Sequence, residues 1–200
     1  MKDNVPIPPR MQALPRDPRG YPIPWTVLID STDKAHFTIN DEVRRQQALN
    51  DRLCPICGAQ LFRGVWFVGG PLSALHPAGA YIDPPMHHEC AVYALQVCPY
   101  LALSKYTGRI DDRTMAPSER AKTPLLIDRT ELPDRPALFV AGMAIKFNIT
   151  RNGYVVPRRP FHRFEFWQNG AQLAPDVGMA LAQSEIERQG PMVEAIERHA

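Results

Sequence analysis

The chain has 200 residues, 44% of them apolar and 22% charged, with a formal net charge of +2. That is globular composition with enough apolar material for a buried core, and its charge is too balanced to mark a nucleic-acid-binding protein by itself. Its 21 prolines, about twice the average share, exclude a fold of long regular elements, because proline cannot donate to helix or sheet ladders.

Residues 1–24 carry seven of those prolines with Lys2, Arg10, Arg16 and Arg19 between them. The segment favours extended conformation and reads as an arm along a domain surface. It lacks the apolar stretch of a signal peptide, and no run in the chain approaches the ~20 apolar residues of a membrane span. A soluble cytoplasmic protein with no membrane partner is therefore expected. Four cysteines in a reducing compartment read as metal ligands or buried thiols before disulfides.

Trp25, Val27 and Ile29 alternate as in a first strand. Residues 41–53 read as a helix capped by Asn40 or Asp41, with Glu42 suited to its first turn. A tight turn follows at 54–58, then a strand over 60–68 rich in aromatic and β-branched residues. Residues 71–85 read as a loop or ragged return strand. Residues 86–97 are helical, with Ala91, Leu95 and Cys98 on one face and Pro99 as the stop. Residues 104–136 are polar and proline-punctuated, a connector and domain boundary. Beyond them Phe139, Ala141, Met143, Ile145, Phe147 and Ile149 alternate as one strand with a break at Gly142. Asn152-Gly153 marks a hairpin turn, residues 161–167 a further strand, and 176–189 a helix closed by Gly190 and restarted after Pro191. Val177, Leu181 and Ile186 form that helix's apolar side. The chain divides into an arm and first strand (1–39), a core (40–103), a connector (104–136) and a β-hairpin-rich segment with C-terminal helices (137–200).

The motif that carries chemistry is Cys54-Pro55-Ile56-Cys57-Gly58, followed after a β-rich stretch by His87-His88-Glu89-Cys90 opening a helix. A Cys-x-x-Cys turn presents two thiolates to one ion, and His87 and Cys90, three apart, share a helical face. Together they supply the four nitrogen and sulfur ligands that tetrahedral Zn2+ takes. His88 points away from that face, and Cys98 lies about 12 Å along a straight helix from Cys90. Four protein ligands leave no position for water or substrate, so the zinc is expected to be structural. A glutaredoxin-type reading needs a strand before the Cys-Pro-x-Cys and a helix after it, the reverse of the order here. A zinc-deaminase reading needs the His-x-Glu ahead of the Pro-Cys-x-x-Cys. Four metal-free buried cysteines are the remaining alternative. The fold class expected is α+β: a small treble-clef-like zinc core, a β-rich segment and a C-terminal helix.

The CPICG turn, Gly70-Pro71 and above all residues 84–101 resemble an uncharacterised group of proteins encoded by phages, prophages and bacterial genomes. Residues 7–25 and 164–170 are similar too, so the resemblance spans most of the chain. It implies the metal motif and a cytoplasmic setting, and supplies no activity.

The expected role is a non-enzymatic zinc-stabilised binding or adaptor protein, its partner a protein or a nucleic acid. Lys146, Arg151, Arg158, Arg159 and Arg163, interleaved with Phe147, Tyr154, Phe161, Phe164 and Trp167, are the candidate nucleic-acid contacts. Strand alternation, however, demands that half of those rings face inward. One alternative is an HNH-like treble-clef nuclease, for which His76, His88 and Glu89 are the nearby candidates. Another is a phage-encoded inhibitor that grips a host protein through the arm and the C-terminal helix.

Overall fold

The computed structural model describes residues 5–103 and 135–189; most of the connector, and the restart of the last helix, lie outside them. The fold is α+β, built on a four-stranded antiparallel sheet. It comprises β1 Val27–Ile29, β2 Ala35–Asn40, α1 Glu42–Asn50, β3 Val65–Gly69, α2 Pro71–Leu75, α3 His88–Val97, α4 Pro99–Ala102, β4 Phe139–Ala144, β5 Phe147–Ile149, β6 Val155–Pro157, β7 Arg163–Gln168, β8 Ala171–Gln172 and α5 Pro175–Arg188. The sheet runs β3-β4-β7-β8, while β1 with β2 and β5 with β6 form separate two-stranded ribbons. Val65 pairs with Ala144 and Gly69 with Val140. The segment carrying the metal motif and the segment beyond 135 therefore share one ladder.

Strand periodicity divides the core between the two faces of this sheet. Phe139 and Ala141 of β4 and Trp167 of β7 pack with Cys90, Ala91, Tyr93 and Leu95 of α3. Leu138, Val140 and Phe166 point the other way, toward Ala74 of α2 and Ala182 of α5. The arm is tied to the α3 side. A single 3-10 turn, Pro9–Met11, opens on a proline and drives Met11 into the main core. Asp17, buried, accepts from the backbone N–H groups of Arg19 and Tyr21 and from the Arg19 guanidinium. Burial alone would raise the pKa of Asp17, but these donors together outweigh it and hold it low.

Several elements differ from the sequence reading for identifiable reasons. The strand expected over 60–68 is β3 alone, because Gln60 is held instead in a bridge opposite Leu53. Residues 71–75 are a short helix with proline in its first turn. Helix α3 ends at Val97, ahead of Pro99 as expected, but Pro99 also opens a further short helix, α4, after Cys98 in extended conformation. The alternating run 139–149 is two strands, and the break falls at Ile145–Lys146. Gly142 stays within β4, opposite Phe164, where an added Cβ would lie 2.8 Å from the Phe161 ring. That glycine makes room for a ring.

Helix α5 turns its small residues inward and leaves part of its apolar side outward. Gly178, Ala182 and Glu185 face inward, while Val177 and Leu181 are 48% and 41% exposed. The cause is close approach: a Cβ at Gly178 would sit 2.2 Å from Cβ of Phe166. Gly178→Ala is therefore expected to destabilise the protein by about 1–3 kcal/mol through overpacking, even though alanine gains about 1 kcal/mol in helix propensity. Urea denaturation measures this, and a net gain in stability would show that the helix has room to spare.

Candidate metal centre

The first ligand pair lies on a turn fixed at both ends. Cys54 N–H donates to Ala59 O at 2.8 Å and Gly58 N–H to Cys54 O at 2.8 Å. Gly58 adopts φ of 72°, the left-handed conformation that favours glycine, and the Trp25 ring covers it closely. Trp25 and Thr26 donate their N–H groups to Ile56 O and Pro55 O at 2.9 and 3.0 Å, so the chain ahead of β1 supports the turn from behind.

The second pair is delivered by β3. Trp66 and Met86 exchange backbone bonds of 2.9 and 2.8 Å, which brings the next residue, His87, to the start of α3. His87 is the N-cap, in extended conformation, rather than a residue of the helix proper; Cys90 lies within the first helical turn. The ligand atoms of Cys54, Cys57, His87 and Cys90 all lie within 4.8 Å of one another. These four residues are close enough to hold one metal ion.

The donor set fits such an ion in detail. His87 Nε2 lies 3.1 Å from Gln60 O, so that nitrogen carries the hydrogen as donor. This leaves Nδ1, 3.4 Å from Cys57 Sγ, as the free lone pair aimed into the cluster. The thiols share charge unequally. Cys57 is pushed down to about 2, chiefly by hydrogen bonding from Cys54 and next from Cys90. Cys54 is pushed up to about 11, first by burial and then by Cys57, and Cys90 is raised by its bonds to Cys54 and Cys57. Metal binding requires these thiols to be deprotonated, so a bound cation would favour the thiolate form of all three.

The surroundings include groups that short-range sequence patterns do not reveal. Arg10 of the arm pairs with Glu89 in the first turn of α3. His88 turns away from the cluster: its Nε2 meets Glu165 Oε1 at 2.8 Å, and its ring lies against Trp66 with centroids 4.2 Å apart. His76 is buried, its Nδ1 accepting from Ala78 N–H at 3.2 Å. Cys98 caps the far end of α3 outside the cluster, its thiol pushed up by burial.

The basic residues singled out in the sequence separate into different environments. Lys146, Arg151 and Arg158 are exposed. Arg163, 64% exposed, lies 5.7 Å over the Trp66 ring and 3.8 Å from Glu165. Arg159 is the correction: it turns inward and donates to Ala74 O at 2.6 Å, Ser73 O at 3.1 Å and Gly79 O at 3.4 Å. Its guanidinium holds backbone together and is not presented to a ligand. Of the interleaved aromatics, Phe161 and Trp167 are core residues. No helix among the described residues is long and apolar enough to cross a membrane. No protein-family model, curated protein or solved structure matches this chain.

Proposed function

We propose that this chain is a non-enzymatic binding module whose core is stapled by one structural zinc ion. The observation that carries the reading is the closed Cys3His donor set. Three sulfurs and one imidazole suit Zn2+ by softness and by tetrahedral geometry. With four protein ligands the ion has no position for a substrate, so its contribution is to folding. The arrangement resembles a treble clef: a Cys-x-x-Cys turn, a β return through Trp66 and Met86, and a helix whose start supplies the second pair. Association with phages and a bacterial host partner rest on the sequence resemblance. The nuclease alternative has no comparable support, since His88 is engaged with Glu165 and His76 with backbone.

Cobalt substitution tests the reading. The Co2+ form is expected to show the intense visible bands of a tetrahedral thiolate site, unchanged by added azide or imidazole. A shift on adding either ligand would reveal an open coordination position and overturn the structural assignment.

A further inference from the structure

The turn that carries Cys54 and Cys57 is followed closely by two exposed residues, Phe62 and Arg63. Phe62 follows it and is 71% exposed, the most exposed aromatic ring among the described residues. Arg63, beside it, is exposed as well. Both lie just ahead of β3, whose first residue, Val65, pairs with Ala144 at the end of β4. Residues 62–64 and 145–146 therefore occupy the same end of the sheet.

That end is cationic. Arg158 N–H donates to Lys146 O at 2.8 Å, which continues the β5–β6 register in which Phe147 faces Pro157. Lys146 and Arg158 are thus direct cross-strand neighbours of like charge, an arrangement that destabilises a ribbon. Neither has an ion-pair partner among the described residues. Arg52 joins them from the other side: its guanidinium lies 5.1 Å from the Phe147 ring centroid, and its carbonyl accepts from Leu61 N–H. Residues 143–163 contain no Asp or Glu, and Asp51 is the carboxylate next in sequence to Arg52. A ring left in water beside unneutralised cations is the chemistry that grips a single-stranded polyanion, bases stacking on the ring while the cations follow the phosphates.

We propose that this end of the sheet binds single-stranded nucleic acid, with Phe62 as the stacking platform and Arg52, Arg63, Lys146 and Arg158 as phosphate contacts. The proposal names the partner of the binding module described above and rests on that reading. An acidic protein could satisfy the cations and cover Phe62 too; nucleic acid is favoured because a single exposed ring among several cations matches the stacking-platform-and-phosphate pattern, and competition by polyglutamate separates the two.

The test is fluorescence anisotropy on the full-length, zinc-loaded chain. Its probes are labelled oligothymidine and oligouridine of about 15 nucleotides, near the upper end of such site sizes, and a duplex of the same length. Binding to one or both single strands is expected, tighter than to duplex, and the two strands separate a DNA from an RNA preference. Phe62→Ala should weaken it about tenfold. Replacing both Lys146 and Arg158 by alanine should reduce the slope of log K against log salt by about 1.4. All three side chains are exposed, so zinc content and circular dichroism should match the parent. No binding at low ionic strength, duplex bound as tightly as single strands, or equal competition by polyglutamate would overturn the proposal. Each would leave the cobalt spectrum, and so the structural-zinc reading, untouched.

Discussion

Cys90→Ser is expected to abolish both metal retention and the native fold. Structural zinc contributes about 10–16 kcal/mol of apparent binding energy in small zinc domains, whereas a whole domain is stable by only about 5–15 kcal/mol. On the structural-zinc proposal, the ion would therefore decide whether the fold exists. Cys90 is fully buried beside Cys54, so serine leaves a hydroxyl that is a poor zinc ligand in a site built for sulfur. His87→Ala should behave the same way, releasing Gln60 O as well. One zinc per parent chain by inductively coupled plasma mass spectrometry, and loss of both zinc and ellipticity in the variants, would establish the staple. A variant that holds no metal and keeps the native spectrum would refute it.

The second large effect should come from Arg45, a buried cation with only 1% of its surface exposed. Its Nε donates to Ile82 O at 2.9 Å, its Nη1 to Glu42 Oε1 at 3.0 Å, and its Nη2 to Gly153 O. One guanidinium thus joins helix α1, the chain ahead of the metal ligands and the turn of the β5–β6 hairpin. Arg45→Ala strands two carbonyls and a carboxylate, and breaking a buried charged network of this kind costs about 3–5 kcal/mol. Lysine keeps the charge but cannot reproduce three divergent donors from a planar fork, so Arg45→Lys should recover little. Thermal melts of the zinc-loaded variants measure this. Full recovery by lysine would show that charge, rather than the fork geometry, is what matters.

The Cys/His cluster and Arg45 differ in how far their partners lie along the chain, and that difference decides which of them is legible in the sequence. The clustering of Cys54, Cys57, His87 and Cys90 is legible because each pair is local: Cys54 with Cys57, and His87 with Cys90, have spacings that recur in short metal-binding motifs. The hairpin at Asn152-Gly153 was visible for the same reason, since its turn residues specify backbone conformation directly; Gly153 has φ of 81°. Arg45 and Arg159 were not visible as structural residues because their partners are carbonyls, which every residue carries. Arg45 reaches one 108 positions away. Arg159, grouped with its basic neighbours by sequence, is separated from them by the three carbonyls it serves.

Small residues decide the packing at two places that periodicity does not mark. In α5 the apolar stripe of Val177 and Leu181 faces outward because Phe166 admits only a glycine at 178. In β4 the glycine read as a break is a seat for Phe161. Strand β2 is not legible from pattern because it begins after an Asp30-centred turn, in which the Asp30 side chain accepts from Thr32 and Lys34 N–H groups. Its pairing with β1 also shifts register after Val27.

The ladder between β3 and β4 has a consequence for how such a protein can be divided or inherited. A fragment ending before β4 would present Val65, Trp66 and Phe67 on a strand with an unpaired edge, the kind of surface that recruits other chains into aggregates. The complementary fragment would carry β4 with the same row of backbone groups open. Neither piece is a self-sufficient unit, so shuffling the metal-bearing segment into another protein would require carrying its sheet partner along.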